Sequence, residues 1–193
     1  MKNKNPKLKN LKNKKILHIL TGSIAAVRAG ELIQALREAG ATVTCVMTES
    51  AKHFVTPLVL RAFSGQRVYD EFFAVDTPYD VLHTSLAEET DLVLVAPASA
   101  DFIARLACGF ADDLASCSIL ATKRPVLIAP AMNDQMFGHP LTQQNLRKLK
   151  EIGYHLIDPV EGHLICGKEA MGHISDTKTI VCAVEKIVSR LKR

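Results

Sequence analysis

The chain predicts an α/β protein: a three-layer sandwich in which a mostly parallel sheet of five or six strands lies between two layers of helices. Three features lead there. Short runs that are apolar throughout, without the alternation of a one-sided sheet, mark strands buried on both faces. Between them lie stretches with apolar residues three and four apart, the pattern of crossover helices between parallel strands. The length of 193 residues, 48% hydrophobic and 23% charged, is that of roughly one soluble domain of 100–200 residues. Aromatics make up only 5%, with no Trp, so the core is expected from Val, Ile, Leu and Ala.

The first strand is Ile16–Leu20. A helix follows over Ile24–Ala39, with Ala25, Ala29, Leu32, Ile33 and Leu36 on one face and Gly40 at the position where a left-handed residue ends many helices. Thr42–Met47, Leu92–Ala96, Val126–Ala129 and Tyr154–Ile157 are the further strands. A last helix over Thr179–Lys192 carries Ile180, Val181, Val184, Ile187, Val188 and Leu191 as one stripe. Strands and helices in this alternation make a Rossmann-like sheet. The longest apolar runs, Leu92–Ala98 and Val126–Met132, fall well short of the ~20 residues that a membrane-spanning helix needs. No membrane association is expected.

Residues 1–15 hold seven Lys and no acid, which leaves 17 basic against 20 acidic residues in the remainder, net −3. The overall +4 is therefore the charge of a tail. Such a Lys/Asn segment is expected to be a disordered extension, with residues 16–193 as the folded domain. An acidic body gives no basis for nucleic-acid binding. The tail has neither the apolar stretch nor the cleavage site of a secretory signal. Five Cys (Cys45, Cys108, Cys117, Cys166, Cys182) form no CxxC pair, a usage that fits free thiols in a reducing cytoplasm.

In a parallel sheet the ligand sits beyond the carboxyl ends of the strands, where strand order reverses. Five loops follow strands there. Thr21–Ala26 has Gly22 for a tight turn and Ser23 at a helix start, suited to an anion or to a simple cap. With one Gly it is neither a dinucleotide fingerprint nor a Walker loop, and it favours a mononucleotide. Thr48–Ala51 again presents hydroxyls, as a second contact or another cap. Pro97–Phe102 has small residues that let a flat ring or phosphate approach the backbone, and Asp101 is a candidate cap. Pro130–Phe137 contains Asn133, which can orient a carboxylate or amide, or close an Asx-turn. Pro159–Gly172 is Gly-punctuated and long enough to act as a lid, with Cys166 on it. His163, Cys166 and His173 have no fourth partner for a structural zinc, so no metal is expected. His83 is the side chain suited to proton transfer near neutral pH, or a structural histidine.

Gly22-Ser23-Ile24-Ala25-Ala26, His83 eight residues before Asp91, Pro97-Ala98-Ser99-Ala100, Pro130-Ala131-Met132-Asn133-x-x-Met136-Phe137 and Cys166-Gly167 occur in this order. Together they resemble the flavin-dependent cysteine decarboxylases over about residues 15–190, and within them the branch that acts on 4′-phosphopantothenoylcysteine in coenzyme A biosynthesis. The resemblance implies the flavoprotein fold and FMN held by Gly22, Ser23, Ile24, Thr48, Ser50, Ser99, Ala100, Asp101, Phe102 and Ala131. It implies His83 as the base beside the substrate thiol, Asn133 on the departing carboxylate, Cys166 as the proton donor, and His163 and Ile165 against the substrate. It also implies a homo-oligomer, a trimer or a dodecamer of trimers, with the site between subunits.

The chemistry explains the residue types. Oxidation of the cysteine thiol to a thioaldehyde by FMN creates the electron sink an unactivated carboxylate lacks. CO2 loss then gives an ene-thiolate, and protonation with hydride return gives the saturated thiol. Relatives that process lantibiotic peptides lack the donor and stop at the ene-thiol, so Cys166 favours the coenzyme A branch. An oxidative decarboxylase of a peptide C-terminal cysteine is the alternative, as is a non-catalytic regulatory relative. Three departures stand out: Asp101 replaces a usual Asn, Phe137 a usual Trp, and the lid reads Cys166-Gly167-Lys168-Glu169-Ala170-Met171-Gly172-His173-Ile174 without the usual Gly at 170 and Arg at 173. Bacterial relatives commonly continue into a ligase that joins cysteine to phosphopantothenate. That step is expected from a separate protein or from sequence beyond Arg193.

Overall fold

The computed structural model describes residues 11–73, 76, 78, 81–163 and 169–191, with only the backbone of His163 and Glu169. β1 (Lys15–Leu20), β2 (Thr42–Met47), β4 (Leu92–Ala98) and β5 (Val126–Pro130) form the middle of a six-stranded sheet, flanked by the two-residue strands β3 (Val68–Tyr69) and β6 (His155–Leu156). All pairings in it are parallel, in the order β3-β2-β1-β4-β5-β6. Chain order reverses between β1 and β4, so a crevice opens between their carboxyl ends.

The helices are α1 (Ala29–Glu38), α2 (Pro57–Ser64), α3 (Leu82–Glu88), α4 (Ala100–Cys108), α5 (Leu114–Ala121), α6 (Asp134–Gly138), α7 (Pro140–Glu151) and α8 (Thr177–Arg190). Alternation along each strand divides the core in two. Ile16, Leu20, Leu92 and Leu94 face Leu32, Ile33 and Leu36 of α1 and Val181 and Val184 of α8. Leu17, Ile19, Val93 and Val95 face Phe102 and Ile103 of α4, Ile119 of α5 and Leu149 of α7. These are the three expected layers. No helix among the described residues is long and apolar enough to cross a membrane.

Four local differences from the sequence-based expectation have physical causes. The helix expected from Ile24 begins as a 3-10 turn, Ile24–Arg28, and becomes α-helical at Ala29. β3 is too short to show any periodicity. The Gly-punctuated segment after β6 is an antiparallel hairpin, β7 (Val160–His163) with β8 (Glu169–His173). Residues 11–15 are not a free tail. Leu11 is fully buried, its N–H bonds to Ala39 O at 3.2 Å, and Lys14 pairs with Asp91 at 3.0 Å. Thr42 N donates to Lys14 O at 2.8 Å, so the chain is tied to α1 and β2 before β1 begins. Charge composition hid the apolar anchor at Leu11 among lysines.

Candidate functional site

Beyond the carboxyl ends of β1, β2, β4 and β5 lies a cavity of about 770 Å³, within the range of roughly 300–1,000 Å³ typical of small-molecule sites. The loop after β1 supplies Gly22, Ser23 and Ile24. Ser23 caps its 3-10 turn, with Oγ accepting from Ala25 N at 3.4 Å. The loop after β2 supplies Thr48 and Ser50. These loops touch: a Cβ on Gly22 would stand 2.5 Å from Ser50 Cβ, so only glycine fits there. Thr48 Oγ1 is buried and has no hydrogen-bond partner among the described residues.

The loop after β4 supplies Ser99, Ala100, Asp101 and Phe102. Ser99, not Asp101, caps α4, its Oγ accepting from Phe102 N at 3.2 Å. Asp101 lies in the first turn of the helix and is exposed, which frees its carboxylate from the capping role the sequence allowed. Phe102 is almost wholly buried in the core. The loop after β5 supplies Ala131, Met132 and Asn133. Asn133 Oδ1 accepts from Gln135 N at 2.9 Å, capping the short α6. The local turn and the cavity position therefore coexist, where the sequence posed them as alternatives.

The hairpin closes one side. Gly172, His173 and Ile174 line the cavity, and Met132 N donates to Gly172 O at 3.1 Å. Gly172 has φ +134, and a Cβ there would lie 2.3 Å from Met132 O. Ile165 and Cys166 fall outside the described residues, and His163 is described only as backbone at the end of β7.

His83 is not brought to the cavity. It sits half-buried on α3, its ring edge-on to Phe72 at 5.9 Å, and it is absent from the lining. Several lining residues escaped sequence reasoning, among them Arg28, Glu49, Arg105 and Asp113. Arg105 lies one helical turn after Asp101 and pairs with Asp112 and, at 3.6 Å, with Asp113. Asp113 and Ser116 form a capping box at the start of α5. The spacing of Asp101 and Arg105 on one helix face was the available signal.

The family model for flavoproteins matches residues 4–189, and the chain belongs to that family. It is 42% identical over 176 residues to the coenzyme A biosynthesis bifunctional protein CoaBC of Bacillus subtilis, covering 91% of this chain and 43% of that protein. The chain thus spans less than half the length of this bifunctional relative. It is 41% identical over 175 residues to a probable phosphopantothenoylcysteine decarboxylase of Streptococcus mutans, covering 90% of this chain and 98% of that protein. Among solved structures, a PPC decarboxylase mutant complexed with pantothenoylaminoethenethiol superposes with TM-score 0.83 at 32% identity, covering 91% of this chain and 98% of that one. The FMN-dependent cysteine decarboxylase SpaF superposes with TM-score 0.83 at 27% identity, covering 95% and 99%.

Proposed function

We propose, from membership of the flavoprotein family, that this chain is the decarboxylase that converts 4′-phosphopantothenoylcysteine to 4′-phosphopantetheine in coenzyme A biosynthesis, with FMN as its cofactor. The observation that carries the proposal is one cavity in which four strand-end loops gather the glycine, the hydroxyls and Asn133 of the motifs that resemble flavin-dependent cysteine decarboxylases. The residues fit FMN. An orphaned hydroxyl at Thr48 and small side chains at Ala100 and Ala131, with Gly22 packed closely on Ser50, suit a flat ring with a phosphate tail.

Bound FMN would supply reversible two-electron oxidation of the substrate's cysteine thiol, the electron sink that an unactivated carboxylate lacks. Gly22, Ser23, Ile24, Thr48 and Ser50 would hold the cofactor together with Ser99 to Phe102 and Ala131. His83 takes the proton of the substrate thiol. Its position away from the cavity of its own chain fits a site completed by a second copy, as a trimer or a dodecamer of trimers would provide. Asn133 holds the carboxylate out of the thiocarbonyl plane, so that the breaking Cα–C bond aligns with the π-system. Cys166 gives a proton to Cα of the ene-thiolate, while His163 and Ile165 pack against the substrate. A cytoplasmic location follows from the pathway. The cysteine–phosphopantothenate ligase comes from a separate protein or from sequence outside these residues.

Mass spectrometry of the product from purified protein, FMN and 4′-phosphopantothenoylcysteine tests this. Loss of CO2 alone is expected. Loss of CO2 with two hydrogens would replace the proposal with an oxidative decarboxylase, and an unchanged substrate with FMN bound would leave a peptide substrate or a regulatory role.

A further inference from the structure

His18 lies in the middle of β1, fully buried on the face covered by α1 and α8. The backbone ladder between β1 and β4 ends at the pair Ile19–Val95. Past it, β4 continues through Ala96 and Pro97 to Ala98 before the flavin loop, and its register with β5 is irregular between Val95 and Ala98. A buried carbonyl without a partner is costly. Two side chains from β1 and its exit supply what the ladder no longer does. His18 Nε2 donates to Ala96 O at 2.7 Å, and Thr21 Oγ1 donates to Pro97 O at 2.8 Å while accepting from Ser99 N at 2.8 Å. Ser99 in turn caps α4, and Ser99 and Ala100 line the cavity.

We propose that His18 is a positioning residue for the flavin loop: by holding Ala96 where β4 leaves β1, it fixes the backbone that presents Ser99 and Ala100 to the cofactor. The proposal rests on the FMN assignment above. A carbonyl acceptor at Nε2 fixes the Nε2–H tautomer, and Nδ1 is left buried without a partner. The orphan Nδ1 is a cost to the fold, so the one polar interaction the imidazole supplies is its bond to Ala96 O.

The test is FMN titration, by quenching of flavin fluorescence, of the full chain with His18→Leu and His18→Gln, alongside thermal melting of each apo-protein. Leucine removes the donor, whereas glutamine places an N–H at about the reach of Nε2. The Leu variant is expected to bind FMN about 5- to 150-fold more weakly, the equivalent of one lost buried hydrogen bond. The Gln variant is expected within about threefold of wild type, judged against hydrogen bonds of similar strength. The melting temperature should move little, because leucine also removes the orphan Nδ1. A general packing role would instead lower melting and affinity together in both variants. Should the Leu variant not fold, His18→Asn, whose amide is too short to reach Ala96 O, is expected to show the same loss. Wild-type affinity in the Leu or Asn variant, or equal loss in Leu and Gln, would overturn the proposal. Wild-type protein that binds no FMN would overturn the cofactor assignment and this proposal with it.

Discussion

The floor of the cavity and the hairpin at its side are built by opposite means. The floor is the ends of four parallel strands whose residues are almost all buried, braced on both faces by helices. The hairpin is two short antiparallel strands with Val160 and Met171 exposed, held to the sheet side through Gly172 O and Met132 N. An isolated two-stranded hairpin is marginal on its own, so its placement depends on that junction. The difference separates two jobs. The residues proposed to hold a cofactor stand at the ends of the sheet strands, whereas Gly172, His173 and Ile174 reach the cavity from the smaller element.

Cys166→Ser gives the largest expected effect. Production of saturated thiol should fall by about 10²–10⁴-fold, the range for removal of a general acid, with ene-thiol accumulating on the enzyme. FMN affinity, measured by fluorescence quenching, should be unchanged. A matching fall in FMN affinity would show that hairpin and floor are one unit and break the comparison.

The floor was the legible part of this molecule. β2 is found at the expected residues because Thr42–Met47 is bounded by Gly40 and by the polar loop from Thr48, and the loops after β1, β2, β4 and β5 meet in one cavity as strand direction dictates. The hairpin was not legible: its glycines read as a loop, because Gly162 and Gly172 interrupt any alternation from which β7 and β8 could be recognised. His18 was hidden for another reason. Within an apolar strand its side chain satisfies a carbonyl 78 residues away, a long-range hydrogen bond that no local pattern records. Leu11 was masked by the lysines around it, since net charge says nothing of which one side chain is buried.

Acid should distinguish the floor by the next largest effect. Burial pushes the His18 imidazole down to about 4, against the opposing pull of its bond to Ala96 O. The folded chain therefore binds fewer protons at this site than the unfolded chain, whose histidine has the ordinary value of 6.5. The fold carries no charging penalty at His18 above pH 6.5 and loses stability as pH falls toward 4, by about 3 kcal/mol over the interval. Urea unfolding at several pH values checks this, with His18→Gln expected to flatten the slope in that window. An unchanged slope would assign the acid sensitivity to other groups.

The same small change at two glycines sharpens the contrast further. Gly22→Ala forces a Cβ to 2.5 Å from Ser50 Cβ, and overpacking of this kind costs about 1–3 kcal/mol. It should weaken FMN binding by separating the first two loops. Gly172→Ala meets Met132 O at 2.3 Å on a residue with φ +134, with a strain of about 1–3 kcal/mol. It should leave FMN affinity intact and lower turnover by moving the hairpin off Asn133. Titration and steady-state rates on both variants give the comparison directly, and a Gly172 variant that loses FMN but keeps its turnover would reverse it.

The smallest effect lies at the seam. Asp176 follows the hairpin by three residues and caps α8, its Oδ1 accepting from Thr179 N at 2.6 Å. That bond to the Thr179 backbone, aided by the Thr179 hydroxyl and by Lys178 and Arg28 against the opposing effect of burial, holds its carboxyl below the usual range. Asp176→Ala should cost about 1 kcal/mol, the ordinary loss for a helix cap, measured by urea unfolding at neutral pH. Because α8 packs Val181 and Val184 against the sheet, the loss belongs to the floor, and turnover at temperatures well below melting should be unaltered. A fall in turnover without a fall in stability would mean instead that the cap sets the hairpin's exit, and that floor and hairpin are coupled through α8.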